Sequence, residues 1–131
     1  MTPLQNLYYA IGELAYAVAK ADGRVQAEEK KKFHDLVAEE VKKENFSFDI
    51  SDIIFQIMTK DKASLPDSYH WAIRELKLNS HYLSPKIKAS IVSVMEKVAA
   101  FYPPVTIEES KLIEKFKKEI EPLQGDPLFF K

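Results

Sequence analysis

Leu4, Leu7, Tyr8, Ile11, Leu14, Ala15 and Val18 recur every three or four residues, and the pattern stops at Asp22-Gly23. That spacing draws one apolar stripe along a rod of 3.6 residues per turn, so the chain opens as an amphipathic helix. Thr2-Pro3-Leu4-Gln5 supplies its start: the threonine caps, the proline suits the first turn and the glutamine completes a capping box. The same period returns down the chain. A second helix from about Ala27 places Phe33, Leu36, Val37 and Val41 inside, and Asn45-Phe46-Ser47-Phe48 breaks it. A third from about Asp49 carries Ile50, Ile53, Ile54, Ile57 and Met58. A fourth, opened by Pro66-Asp67, carries Trp71, Ile73, Leu76 and Leu78. Ser84-Pro85 starts a fifth, with Ile87, Ile91, Val94, Met95 and Val98 on one face. Thr106-Ile107-Glu108-Glu109 has the form of a second capping box and starts a helix that buries Ile113, Phe116 and Ile120. Pro122 and Gly125 close it.

Only three glycines interrupt the chain, and no run alternates long enough to demand a sheet. The fold class is therefore all-α, a compact bundle of about six to seven helices. A length of 131 residues suits one domain with a continuous core. Residues 1–124 form that helical domain, and residues 125–131 form an apolar tail.

Slid along itself so that Val18 meets Val98, the chain pairs Ala19 with Ala99 and Val25 with Val105. Glu28 and Glu29 then meet Glu108 and Glu109. Both copies read as helix, tight corner, small plug residue, acidic first turn, helix, a pseudo-repeat of helix pairs. Val25 and Val105 are expected beneath their corners, and the acidic pairs oppose the positive ends of the helices that follow. Asp22-Gly23 faces Tyr102-Pro103, and proline cannot copy a positive-φ glycine turn, so special chemistry at a corner belongs to the first copy alone.

The first corner carries part of a calcium loop. With Gly23 at loop position six, Asp22 falls at five, Val25 at eight and Glu29 at twelve, all acceptable. Positions one and three are Val18 and Lys20, where a calcium loop needs oxygen donors, so half the cage is missing. A tight corner in which Gly23 takes positive φ and Asp22 accepts backbone hydrogen bonds accounts for the same residues. The metal alternative is a weak divalent cation held by Asp22, Glu28 and Glu29. No other cofactor is expected.

The segment AYAVAKADGRVQAEEKKKFHDLV resembles the signature of TerB-like domains, small helical modules named after a tellurite-resistance protein. Ala21, Asp22, Gly23, Val25 and Glu29 fit its first copy, and Val98 to Glu109 resembles its weaker second copy. Gln26 stands where the pattern has Ser or Thr, and Tyr102-Pro103 replaces Asp-Gly. The resemblance implies a helical module of stress-response or membrane-associated assemblies, without a settled enzymatic activity.

Other chemistry is sparse. The 19 Lys and Arg against 20 Asp and Glu leave a net charge of −1, without the basic surplus a general nucleic-acid binder needs. The chain has no cysteine, which excludes thiol catalysis and disulfides. The start, Met1-Thr2-Pro3-Leu4, lacks the basic and apolar regions of a signal peptide, and no apolar run is long enough to cross a bilayer. A cytoplasmic protein is expected. His34, His70 and His81 have no ligand partner four residues away, and Asp67-x-x-His70 reads as a helix-start Asp beside a surface or packing His; no Walker loop, zincin motif or nucleophile elbow occurs, so no enzymatic activity is expected. The lysine runs Lys30 to Lys32 and Lys115 to Lys118 are flanked by glutamates, as on a solvated face.

Two aromatic groups point to a protein partner. Trp71 and Arg74 in SYHWAIREL form a hot-spot pair if exposed, although large aromatics are mostly buried and Trp71 is expected in the core. Phe129 and Phe130 in the tail either fold back onto the bundle or insert into a second copy as a homodimer.

Overall fold

The computed structural model of the chain describes residues 2–21, 27–44, 48–101 and 104–130. Among them are six α-helices and no strand: α1 (Pro3–Lys20), α2 (Ala27–Glu44), α3 (Phe48–Asp61), α4 (Leu65–Leu78), α5 (Pro85–Ala99) and α6 (Ile107–Ile120). A 3-10 turn, Ser80–Tyr82, joins α4 to α5. None of the described helices is long and apolar enough to cross a membrane.

The helix starts follow from local chemistry. Thr2 accepts from the Gln5 amide while the Gln5 side chain accepts from the Thr2 amide, which closes the expected capping box. Thr106 and Glu109 do the same at α6. Ser64 and Ser84 cap α4 and α5 ahead of prolines in the first turn. The α3 end is of a different kind. Lys62 takes φ 54°, its amide reaches the Thr59 carbonyl, and the Ala63 amide reaches the Met58 carbonyl. This is a Schellman closure built on lysine where glycine is usual.

Helix α1 is the axis of the bundle. From Leu7 to Ala19 every residue except Tyr9 is buried, and α1 packs chiefly on α3 and α4, then on α5 and α6. A single stripe would have left one side wet, but between Pro3 and Ala19 the helix carries one charged residue, Glu13. A helix apolar all round is a central helix. Its small side chains set the spacing. A Cβ on Gly12 would stand 2.5 Å from the Ser51 carbonyl oxygen of α3, and the Ser51 hydroxyl donates to the Tyr8 carbonyl at 2.6 Å. Tyr16 meets Phe55 edge-on at 6.0 Å and donates to the Ala63 carbonyl at 2.6 Å. Phe33 of α2 stacks on Phe55 at 4.4 Å, so α2 reaches the core through α3. The side chains of Val37 and Val41 lie outside the described set, as do residues 45–47.

Five expectations about burial are corrected. Ile53 and Ile57 are exposed on α3, because Ser51, Ile54, Phe55 and Met58 form the arc that faces α1 and α2. On α4 the inward arc is Ser68, Tyr69, Ala72, Ile73 and Leu76, which turns Trp71 and Leu78 outward. Trp71 is 47% exposed where a core residue would be near zero. Val105, expected as a plug beneath its corner, is 44% exposed. It precedes the Thr106 cap, and the residue four places into α6 is Ser110, which offers it no apolar contact of the staple kind. The matching Val25 lies outside the described residues.

The tail folds back onto its own chain. The Asp126 amide donates to the His81 carbonyl at 2.9 Å, and Phe129 packs against His81 and Tyr82 with ring centres 4.9 and 5.0 Å away. Gly125 is required there: a Cβ would stand 2.3 Å from the Phe130 ring and 2.6 Å from the Leu83 carbonyl oxygen.

Candidate functional site

Asn6, Tyr9 and Glu13 recur at helical spacing on one face of α1, and Trp71, Arg74 and Glu75 do so on α4. Where those faces meet they line a cavity of about 480 Å³. Its floor is Glu13, only 2% exposed, and its mouth carries the exposed Trp71 and Arg74. Glu13 Oε1 is out of contact with solvent and has no hydrogen-bond partner. Burial opposes its ionisation, the negative charge of Glu75 adds to that, and the carboxyl is pushed up to about 8 from 4.5. The Tyr9 phenol is also raised, first by burial, then by Glu13 and Glu75. A buried acid without a partner costs free energy that a leucine there would not.

Arg74 also belongs to a second opening of about 360 Å³ between α4 and α6, with Tyr69, His70, Lys77, Lys115 and Glu119. There Tyr69, Glu119 and Lys115 engage one another. Tyr69 donates to Glu119 at 2.9 Å, Lys115 stands 4.7 Å over the Tyr69 ring, and burial followed by Glu119 raises the Tyr69 phenol. A wider opening of about 560 Å³ runs along α6 past Val105, Ile107 and surface lysines, and no buried polar residue lines it. The Glu13 cavity differs from both by holding an unsatisfied polar atom at its base.

The sequence-derived candidates separate into three groups. Trp71 and Arg74 come together, as read, at one cavity. Phe129 and Phe130 lie elsewhere, on the 3-10 turn and the start of α5. Of the metal candidates, Asp22 and the side chain of Glu29 lie outside the described residues, and Glu28 is exposed in the first turn of α2. Among the described residues no three His, Asp or Glu side chains converge as a metal site. Two lysines read as solvated make contacts across the bundle. Lys32 donates to the Phe101 carbonyl at 2.7 Å, and Lys117 stands 3.8 Å from Glu96 of α5.

Asn6, Tyr9, Glu13 and Glu75 escaped sequence reasoning. The usable signal was Glu13 itself, the one charge between Pro3 and Ala19. Comparison with known proteins adds no further candidate: no family model, curated protein or solved structure matches this chain.

Proposed function

We propose that the chain is a non-enzymatic TerB-like helical module, an adaptor of the stress-response type acting in the cytoplasm, and that it receives its partner in the groove between α1 and α4. The TerB-like part rests on the resemblance around Ala21, Asp22 and Gly23. The groove rests on one observation: the chain's single tryptophan stands half exposed above an acid that is buried without a partner. The exposed half of Trp71 and the unpartnered carboxyl add nothing to the fold. Exposed Trp and Arg side by side are the usual anchors of a binding surface. The lining offers hydrogen bonding and aromatic surface.

A photo-crosslinking residue placed at position 71 tests this. The proposal expects one defined adduct in cell extract, lost on Arg74→Ala and kept on Phe129→Ala. An adduct pattern indifferent to Arg74 would remove the groove from consideration. The divalent-cation reading on Asp22, Glu28 and Glu29 keeps its sequence motif as support. Millimolar calcium that leaves the Asp22 and Gly23 amide signals in place ends it.

A further inference from the structure

Granting that the α1–α4 groove is a binding site, its lining narrows the chemistry of what enters. Two carboxyl groups, Glu13 and Glu75, come from facing helices, and two aromatic side chains, Tyr9 and Trp71, complete the wall. An anion would be repelled by the Glu75 charge, and Glu13 could serve it only as a protonated donor. A neutral amide could bond Glu13 but would leave Glu75 and the rings unused. A calcium or magnesium ion could take the two carboxylates together with water but would leave the aromatic wall unused. An organic ammonium uses every part: its N–H groups donate to carboxylates, and its charge is attracted to aromatic π systems. Arg74 has the wrong sign for the floor, but it is exposed at the mouth, where it suits a carbonyl or carboxylate that follows the ammonium. We propose that the α1–α4 groove binds an alkylammonium group, with Glu13 and Glu75 as its acceptors, Tyr9 and Trp71 against its charge, and Arg74 at the rim.

A lysine side chain of a partner protein and a free aliphatic amine share this chemistry. Either one engages Glu13 in its ionised form, whereas the empty groove holds that carboxyl at about 8 and hence mostly protonated at neutral pH. Binding therefore expels a proton, and affinity rises with pH up to about 8 while the amine stays charged. The charged and titratable groups facing Glu13 across the groove are Tyr9 on its own helix and Arg74 and Glu75 on α4. The Tyr9 phenol is shifted upward, away from this range.

The single tryptophan gives a site-specific readout. The indole N–H signal of Trp71 in the full-length chain is followed during titration with n-butylammonium, butyramide or acetate at pH 6, 7 and 8. The expected result is a saturable shift with n-butylammonium alone, its affinity rising on the order of tenfold per pH unit below 8. Glu13→Gln should weaken binding about tenfold or more at pH 8 and flatten the pH dependence. A Glu13 that served only folding would leave the indole signal indifferent to the amine in both proteins. A shift with acetate or butyramide but none with n-butylammonium overturns the ammonium assignment and leaves the groove as a site of other chemistry. Silence with all three probes overturns the assignment too, while the crosslink at position 71 judges the groove separately. A lysine-containing peptide that binds about tenfold more tightly than n-butylammonium assigns the site to a protein lysine, and equal affinity assigns it to a free amine.

Discussion

Glu13 and Glu109 are removed from water almost equally, at 2% and 5% exposure, yet their surroundings are opposite. Glu109 accepts from the Thr106 amide at 2.9 Å and from the Thr106 hydroxyl at 3.0 Å. Its partner sits three residues away and was set by the same four letters that start α6. Glu13 has no local partner, a second carboxyl across the groove, and an orphaned oxygen. A buried acid completed by its own helix end is part of the fold. One left incomplete by every neighbour spends stability without a structural return, which directs attention to a ligand.

The two acids should respond to removal with opposite signs. The largest effect is expected from Glu13→Gln. Because the folded-state carboxyl titrates near 8, above its ordinary 4.5, stability is intact below pH 4.5 and falls as pH rises toward 8. At roughly 1.4 kcal/mol per pH unit the glutamine variant gains about 3 kcal/mol at pH 7 and close to nothing at pH 4. Urea unfolding at the two pH values measures this. A loss of stability at pH 7 would show that Glu13 has a structural partner after all.

Glu109→Ala is expected to go the other way. It leaves the Thr106 amide without its acceptor and should cost about 1–2 kcal/mol in the same unfolding experiment. A neutral result would erase the contrast between the two sites. Gly12→Ala tests the close approach of α1 to α3 beside Glu13. A methyl pressed on the Ser51 backbone costs about 1–3 kcal/mol, and the helical preference for alanine returns about 1. A net loss of about 1 kcal/mol is expected in the same unfolding experiment.

The smallest effect concerns a third acid, Asp52, whose oxygen lies 2.6 Å from Nδ1 of His34 on α2. The hydrogen bond to Asp52 and then its charge raise the His34 pKa above 6.5. The stabilisation is complete below 6.5 and disappears as pH rises through the folded-state value. Asp52→Asn should return the His34 titration, followed by ring-proton chemical shift, toward the ordinary value. His34 is solvent-exposed, so little change in global stability is expected.

What could be read from the letters was whatever neighbours in sequence decide. Thr2 with Gln5 and Thr106 with Glu109 are capping partners within one turn, and Ser84-Pro85 needs only its own backbone to start α5. The inward arcs of α5 and α6 were also legible, because one strong stripe dominates each helix. On α3 and α4 two arcs compete. Ile53 and Ile57 are as apolar on paper as Ile54 and Met58, and Trp71 is as apolar as Ile73. On α3 the inward arc carries the contact of Ser51 with Gly12, which brings together residues from two helices.

By itself, then, the sequence determined an all-helical chain and where most of its helices begin, since turns, caps and periodicity act over a few residues. Only the tertiary structure decided that α1 is wrapped on every side, that Glu13 lies beneath Trp71 and Arg74, and that the tail rests on the 3-10 turn. Burial is a property of what packs against a residue, and those neighbours come from distant parts of the chain.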